Sequence, residues 1–434
     1  MDSCQVKIYT RTNGPRLKYI AGILLGDILG LTWEIITDKR KVGQHPVINY
    51  SSENIRNSFK IDPVSLLSEN GIRNVETLIT YWKDLPVFFQ TPTPCDLPFD
   101  IFAASFYLVS RYEEYLEYQP DEYGRFSASS SLAYQNGFLM SPVIDLWTKQ
   151  FAREIIKKYP ALAIRRNEYK ALLTVDTDQP FAFLGKPLLR HVGGMIYDLT
   201  LNTGKAAYRY KVVTHEERDP YEVYDYLAEK INGSRSDVKF FFPVGDKSKY
   251  DTNPSWKNKD YRELINRVSA EFNIGLHPSF YASDNFSMLA TELDRLTRTS
   301  GKEIITSRFH FIRMSAPTSY RHLLKAGITE DYSMGFPDEP GFRAGIARPY
   351  MFYDVSEDKQ TTLKVVPFQV MDWTLYQYKK LDAGSSEPVI NELIDVTRRV
   401  GGQFVSLWHN TTLQATQEWK PWRDLFEKTV LREQ

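Results

Sequence analysis

The feature that most constrains this chain is a regular alternation of short apolar runs and amphipathic stretches, which begins near residue 170. The runs are rich in β-branched and aromatic residues, as strands are. Between the runs, apolar side chains recur every three or four residues, as in an amphipathic helix. Alternating strands and helices predict an α/β fold with a parallel sheet. The strand-like runs cover residues 171–176, 238–244, 274–277, 304–310, 363–370 and 404–409.

The length of this alternating region favours a barrel. Roughly 265 residues of strand–helix units suit a closed or nearly closed (β/α) barrel, which takes about 250 residues. Gly301, Gly327 and Gly401 follow the predicted ends of three helices, where a left-handed cap favours glycine. We therefore expect a (β/α) barrel over residues 166–434.

The first part of the chain is less regular and predicts a separate mixed α/β companion domain over residues 1–165. Its clearest element is a helix from Asp100 to about Tyr118, because apolar residues recur there at helical spacing. The stretch 157–170 contains Pro160 and a cluster of charges, which is typical of a connector. The sequence thus predicts two domains.

Charge and cysteine content exclude two kinds of function. The chain has 54 basic and 54 acidic residues and no formal net charge, so it lacks the basic excess typical of nucleic-acid-binding domains. Cys4 and Cys95 are its only cysteines, too few for a four-thiolate zinc site or a disulfide framework. We expect no nucleic-acid partner, and any metal ion would be held by histidine and carboxylate ligands.

The sequence predicts no membrane span and no secretory signal. Its most apolar early stretch, residues 20–33, contains Asp27 and is shorter than the about 20 apolar residues that a span needs. The first residues lack the basic and apolar regions of a signal peptide. We expect a cytoplasmic protein, and the sequence leaves its oligomeric state open.

Polar side chains follow most of the predicted strands. In parallel α/β folds the carboxyl ends of the strands form the working site. Asp176 and Asp178 are two positions apart on one strand and should share a face. Such a pair can divide its roles, one carboxylate binding a cation and the other acting as a base, or it can simply cap a turn. The strand-end residues are Asp176, Asp178, Asp246, His277, Arg308, His310, Asp372 and His409.

Asp178, His277 and His310 form a candidate site for zinc or a related divalent ion, because one carboxylate and two imidazoles leave positions open for water and substrate. A lone histidine after a strand is more often structural, but the nearby carboxylates favour the ligand interpretation. His409 ends the last strand and would face the first strand across a closed barrel, as a general acid opposite a base. Asp372 would orient it.

Three further residues allow two interpretations each. Arg343 lies between glycines in segment 341–345 and is either an anchor for a carboxylate or an anionic sugar, or part of a surface turn. Trp373 and Trp408 flank the last strand ends and are either pocket residues or core aromatics.

Residues 170–425 resemble the NodB-homology polysaccharide deacetylases, carbohydrate esterase family four, through five motifs in order. Thr-Val-Asp-Thr-Asp at 174–178 is similar to the first motif, which implies Asp176 as general base and Asp178 as metal ligand. Gly-Leu-His-Pro-Ser at 275–279 is similar to the metal-binding histidine motif. The resemblance implies a distorted (β/α) barrel. Ser-Arg-Phe-His at 307–310 is similar to the arginine motif that steadies the base. Asp372-Trp373 is similar to the aspartate–tryptophan pair, and Leu-Trp-His-Asn at 407–410 is similar to the final histidine motif.

The chain departs from this family pattern in two places. A threonine separates Asp176 from Asp178, which are adjacent in the family. Tyr281 stands where the family has its second metal histidine, so we expect His310 to supply that ligand from the neighbouring strand. The first part of the chain resembles an uncharacterised domain that accompanies Bacteroidetes-type deacetylases, through residues 106–115 and 124–126.

The leading expectation is a metal-dependent hydrolase, with zinc as its cofactor, that removes an acetyl group from an acetylated, preferentially N-acetylated, saccharide. Asp176 would act as base and His409 as acid. Either Arg343 or Arg308 would hold Asp176 ionised. The residues expected to contact the substrate are Arg308, Tyr281, Trp373 and Trp408.

The alternative is a non-catalytic carbohydrate-binding protein on a deacetylase scaffold. Tyr281 in the metal motif and an aromatic content of 14% favour it. A hydrolase acting on a phosphoester is less favoured, because the sequence has no basic cluster and no glycine-rich phosphate loop.

Overall fold

The structure is a computed structural model that describes residues 5–91, 94–185, 188–201, 203–231 and 238–433. Cys4 lies outside these residues. The described chain has a mixed α/β fold with mainly parallel sheets, as the sequence predicts.

The first part of the chain forms a four-stranded parallel sheet with the order β2-β1-β3-β4. Its strands are β1 (Val6–Tyr9), β2 (Trp33–Ile36), β3 (Val47–Tyr50) and β4 (Phe59–Ile61). An antiparallel hairpin follows, made of β5 (Thr80–Trp82) and β6 (Leu85–Val87). The α-helices of this part are α1 (Pro15–Ala21), α2 (Ile101–Val109), α3 (Leu132–Gln135) and α4 (Val143–Lys158).

Helix α2 is shorter than the sequence predicts. The Asp100 side chain caps its start by accepting the Ala103 N–H at 3.0 Å. The helix ends at Val109 because Arg111 has a left-handed backbone, with φ 54°. The expected continuation to Tyr118 is wrong: a 3-10 turn, Tyr112–Tyr115, follows instead.

The second part of the chain forms a nine-stranded sheet with the order β12-β13-β11-β10-β9-β8-β7-β15-β14. Only the β12–β13 pair is antiparallel among these strands. The two edge strands, β12 and β14, do not pair with each other in the described residues, so backbone hydrogen bonds do not close this sheet into a barrel. The strands are β7 (Lys170–Asp176), β8 (Val238–Phe242), β9 (Asn273–Leu276), β10 (Thr306–Ser307), β11 (Glu330–Asp331), β12 (Tyr350–Asp354), β13 (Lys359–Val365), β14 (Val370–Met371) and β15 (Gln403–His409).

Most helices of this part connect its strands, and the last one follows the final strand. Helices α9, α10 and α11 end at Gly301, Gly327 and Gly401, whose φ angles of 66°, 87° and 62° confirm the predicted left-handed caps. The helices are α5 (Leu188–Leu201), α6 (Thr203–Val213), α7 (Tyr224–Lys230), α8 (Lys259–Glu271), α9 (Phe286–Ser300), α10 (Thr318–Ala326), α11 (Ala383–Val400) and α12 (Lys420–Lys428).

The two parts of the chain share their largest hydrophobic core cluster. The ring of Tyr353, on β12, packs against Tyr19 and Phe106 of the first part, with centroid distances of 4.8 and 5.2 Å. The division at residue 165 stays a prediction from sequence. Among the described residues, no helix has the length and apolar character needed to cross a membrane.

The cap glycines allow a matched test of the fold. A Cβ at Gly401 would lie 2.3 Å from the carbonyl oxygen of Asn167, whereas a Cβ at Gly301 would have no atom within 4 Å. We expect Gly301→Ala to lower the free energy of unfolding by about 1 kcal/mol, the left-handed penalty alone. Gly401→Ala should lower it by at least about 1 kcal/mol more, because of overpacking. Urea unfolding measures both, and equal losses would contradict the close approach.

Candidate metal and active site

Parallel pairing of β7 with β15 places Asp176 and His409 side by side, since these two residues are partners in the register. We expected His409 to face the first strand across a barrel. That expectation is wrong, because the last long strand hydrogen-bonds directly to the first one. Asp178 lies just beyond Asp176, and its Oδ2 is 3.6 Å from Nε2 of His409.

The structure brings Asp178, His277 and His310 together. One ligand atom from each of them lies within 4.8 Å of the other two. Nε2 of His277 is 3.0 Å from Oδ1 of Asp178, and Nε2 of His310 is 3.4 Å from Oδ2. Bonds of about 2.0–2.2 Å to a tetrahedral zinc ion place neighbouring ligand atoms about 3.4 Å apart. The three side chains therefore have the spacing of a metal site.

The hydrogen bonds of the two histidines leave both Nε2 atoms directed at Asp178. Nδ1 of His277 donates to the carbonyl oxygen of Arg308 at 2.6 Å, and Nδ1 of His310 donates to Oδ1 of Asp251 at 2.9 Å. Oδ1 of Asp178 is buried and has no assigned hydrogen-bond partner among the described residues, although Nε2 of His277 lies 3.0 Å away. A divalent cation would satisfy these atoms, so the residues fit a metal ion.

Charge within this cluster shifts two pKa values. Burial raises the pKa of Asp178, but the His310 charge and the close polar contacts with His277 and His310 together outweigh burial and hold that pKa well below its usual range. Burial lowers the pKa of His310, but Asp178 and Asp251 outweigh burial and raise that pKa to about 10. A proton and a metal ion would compete for Nε2 of His310.

Arg308 is the arginine that holds Asp176. Its Nη1 donates to Oδ1 of Asp176 at 2.9 Å, its Nη2 to the Thr174 hydroxyl at 2.8 Å, and its Nε to the carbonyl oxygen of Tyr332 at 2.9 Å. The Arg308 side chain is fully buried. It therefore lies behind the carboxylate, and the expected contact between Arg308 and substrate stays a prediction.

Arg343 lies elsewhere, which corrects the position expected for it. Its guanidinium forms a two-bonded ion pair with Glu114, at 2.8 and 2.9 Å, and donates to the carbonyl oxygen of Gly335 at 3.0 Å. Glu114 is itself buried and also accepts from Arg111 at 2.7 Å. The buried carboxylate attracts Arg343 to the contact between the two parts of the chain.

Asp372 holds His409 by two bonds. Nδ1 of His409 donates to Oδ1 of Asp372 at 2.7 Å, and the backbone N–H of His409 donates to Oδ2 at 2.7 Å. Burial lowers the pKa of His409, but the charge and hydrogen bond of Asp372, with the charges of Asp178 and Asp176, outweigh burial and raise that pKa to about 9. His409 is therefore protonated at neutral pH, with Nε2 directed toward Asp178.

A pocket of about 420 Å³ is lined by Asp176, Asp178, His277, His310 and His409. Trp373 lines it, as the sequence predicts. Trp408 does not, because it lies on the opposite face of β15 from His409, is 1% exposed, and packs against Phe426. Other aromatic residues of the wall are Tyr221, Tyr250, Phe311, Tyr378 and Trp419.

Two other expected residues lie outside the pocket. Tyr281 is 47% exposed and packs on Phe280 and Tyr250. Asp246 is exposed and pairs with Arg295 on the surface.

The sequence did not identify two residues that the structure places here. Asp251 lies in the loop between β8 and α8, where no motif marks it, and its Oδ1 accepts from both His310 and the Phe280 N–H. Arg125, from the first part of the chain, lines the pocket. Its only signal was the Gly124-Arg125-Phe126 segment, which gave no reason to place it near Asp178.

Comparisons with known proteins give a partial match. Residues 6–160 match DUF7033, a family of unknown function. No curated protein matches the chain. A crystal structure of a candidate polysaccharide deacetylase from Mycobacterium smegmatis aligns with 15% identity over 60% of this chain and 84% of its own, with a TM-score of 0.39. A polysaccharide deacetylase from Bacillus cereus aligns with 13% identity over 62% of this chain and 88% of its own, with a TM-score of 0.30. Similarity at this level assigns no activity to the chain.

Asp251 provides a test of the metal site. In Asp251→Asn the amide keeps a bond to the Phe280 N–H but loses the charge that faces Nδ1 of His310. We expect the dissociation constant for Zn²⁺ to rise about tenfold to a hundredfold, as for other carboxylates behind ligating histidines. Asp246→Asn, on the same loop, is the control and should bind as the wild type does. Isothermal titration measures both, and unchanged affinity in Asp251→Asn would contradict this role.

Proposed function

We propose that this chain is a metal-dependent hydrolase that removes an acetyl group from an N- or O-acetylated saccharide. One observation carries the proposal. Asp176 and His409, a base and an acid candidate, flank the set Asp178, His277 and His310 within a single pocket. The motif resemblance to NodB-homology deacetylases supports the reaction class, and it supports a distorted form of (β/α) barrel for this part of the chain.

The proposed cofactor is a divalent metal ion, with zinc as the first candidate. Asp178, His277 and His310 would hold it. When bound, such an ion polarises a carbonyl oxygen and lowers the pKa of water.

Asp176 has the arrangement of a general base. Its Oδ1 is held by Arg308, while Oδ2 lies 3.8 Å from Nε2 of His277, beside the metal ligands. During hydrolysis the water oxygen bonds to the acetyl carbonyl carbon, and the water proton passes to the Asp176 carboxylate. The fixed guanidinium keeps that carboxylate in place and stabilises its ionised form.

His409 has the arrangement of a general acid. Its Nε2 proton passes to the departing amine or alcohol as the bond from the acetyl carbon to nitrogen or oxygen breaks. The products are the free amine or alcohol and acetic acid, which releases its proton to solvent and leaves as acetate. The proton taken by Asp176 replaces the one lost by His409 by way of solvent, so the cycle closes.

The pocket walls support a saccharide as the substrate. Trp373 and Trp419 lie nearly parallel, with their centroids 6.5 Å apart, and Trp373 is 6.0 Å from the His409 ring. Aromatic walls that alternate with well-placed polar side chains are typical of small-molecule sites. Such rings can pack on the C–H faces of a sugar while its acetyl group reaches Asp176.

The direct test uses the full chain, stripped of metal and then supplied with Zn²⁺ or Co²⁺. We expect acetate release from N-acetylglucosamine oligomers or O-acetylated xylo-oligosaccharides only when metal is present. Metal binding without acetate release from either class would contradict the proposal. A chain that binds sugars but no metal would support the non-catalytic alternative.

Replacing the proposed base should separate turnover from metal binding. In Asp176→Asn the side chain still accepts from Arg308 but cannot take a proton. We expect kcat to fall by about 10²–10⁴-fold, while the dissociation constant for Zn²⁺ stays within about threefold of the wild-type value. Asp246→Asn serves as the control. Loss of metal together with activity would contradict the division of roles between Asp176 and Asp178.

Replacing Asp372 should move the alkaline limb of the pH–rate profile. A general acid works when protonated, so activity falls as the pH rises through the pKa of His409. Asp372→Asn removes the charge that raises this pKa, so the limb of log(kcat/KM) should shift to lower pH by about one unit or more. The shift is measured with a non-ionising substrate at fixed metal content. An unchanged limb would exclude His409 as the acid.

A further inference from the structure

A turn from the first part of the chain lies directly against the residues that carry His310. The 121–126 turn, Asp121 to Phe126, contacts the 310–313 turn, His310 to Arg313. Nη1 of Arg125 donates to the carbonyl oxygen of Phe311 at 2.7 Å. In the opposite direction, Nε of Arg313 donates to the carbonyl oxygen of Tyr123 at 3.0 Å. The Tyr123 ring also packs on Phe311, with centroids 5.2 Å apart.

The 310–313 turn has an unfavourable backbone. Phe311 and Ile312 both have left-handed conformations, with φ 60° and 53°. A β-branched residue such as Ile312 is an outlier there, and such residues persist only where their surroundings hold them. Because Phe311 directly follows His310, the same backbone sets the direction of the imidazole.

Arg125 is built to hold this turn. It is 3% exposed, its Nε is fixed by Asp121 at 2.7 Å, and its guanidinium lies over the Tyr123 ring at 4.7 Å. The remaining nitrogen of the guanidinium, Nη2, donates to the Tyr378 hydroxyl oxygen at 3.3 Å. A cation so restrained offers a fixed donor to the Phe311 carbonyl.

Arg313 extends the contact to the other histidine ligand. It donates to the carbonyl oxygen of Phe280 at 3.2 Å and bonds the Ser283 hydroxyl. Phe280 lies three residues after His277. The 121–126 turn is therefore connected to the segments that follow both histidines. Arg125 bonds the segment after His310 directly, and Arg313 links the turn to the segment after His277.

We propose that the 121–126 turn positions His310 as a metal ligand, so that the DUF7033 segment forms part of the metal site of the second half of the chain. Arg125 is the main positioning residue. The inference rests on the proposed metal site, and it assigns a role to the first part of the chain.

Three variants of the full chain test the inference. Arg125→Met removes the bonds to Phe311 and Asp121, and Arg125→Lys keeps the charge with a single ammonium that cannot reach both partners. Arg348→Met is the matched control, because it removes a different ion pair between the two parts, from Arg348 to Asp145 at 2.7 Å. The probes are Co²⁺ titration followed by its visible absorption, hydrogen exchange of the 306–316 peptide, and thermal unfolding.

We expect Arg125→Met to weaken Co²⁺ binding about tenfold to a hundredfold and to increase exchange in the 306–316 peptide. Arg125→Lys should lie between Arg125→Met and the wild type, and it replaces Arg125→Met if that variant fails to fold. Arg348→Met should bind Co²⁺ within about twofold of the wild type even if its Tm falls. These magnitudes separate positioning from general destabilisation.

The outcomes distinguish this inference from the proposed function. If both Arg125 variants bind Co²⁺ as tightly as the wild type, or if Arg348→Met weakens binding equally, the inference is overturned and the hydrolase proposal stands. If the wild-type protein binds Co²⁺ but releases no acetate, the hydrolase proposal is overturned. The Co²⁺ affinities of the Arg125 variants then still decide whether the inference holds. A wild type that binds no metal overturns both.

Discussion

The in-register parallel pairing of β7 with β15 is the constraint on which the site depends. Seven residue pairs run from Lys170 with Gln403 to Asp176 with His409. Side chains alternate along a strand, so this register presents Asp176 and His409 at the same edge and sends Trp408 to the helix side. Beyond the strands, the N–H of His277 bonds the Phe242 carbonyl at 3.0 Å, which extends the ladder to a metal-ligand candidate.

The same edge concentrates charge that the fold must compensate. Buried ionised groups are costly unless they are paired and hydrogen-bonded. Asp176 has Arg308, His310 has Asp251, and His409 has Asp372. Each partner binds its group on the side away from the pocket, so the nitrogen or oxygen atom that the partner does not bind faces the pocket. Only Asp178 lacks such a partner, and it lies where the two Nε2 atoms of the ligand set converge.

Local sequence signals predicted much of this arrangement. Glycine after a helical stretch predicted three left-handed caps, and polar residues after apolar runs predicted the three side chains that the structure brings together. What failed involved distant partners. Arg343 meets Glu114 across a sequence separation of 229 residues, and no periodicity reports a pair of buried charges so far apart. Helix α2 ends early because Arg111 turns inward, where its Nη1 donates to the distant carbonyl oxygen of Arg343, and that burial is set by tertiary packing. Asp251 has no sequence pattern, since its role depends on a loop path.

The second histidine of the candidate ligand set, His310, comes from a different strand than the first. This explains why distant parts of the chain reach the site. A ligand at position 281 would be tied to His277 by a single short turn, so local geometry alone would fix their spacing. His310 follows the next strand instead, and its direction depends on two loops staying aligned. The His310 N–H bonds the Pro278 carbonyl at 3.1 Å, and Oδ1 of Asp251 accepts from both His310 and the Phe280 N–H. These bonds, with Arg125 on the far side, supply the alignment that adjacency in sequence would otherwise provide. A ligand candidate from another strand thus connects the proposed metal site to the loop of Asp251 and to the first part of the chain.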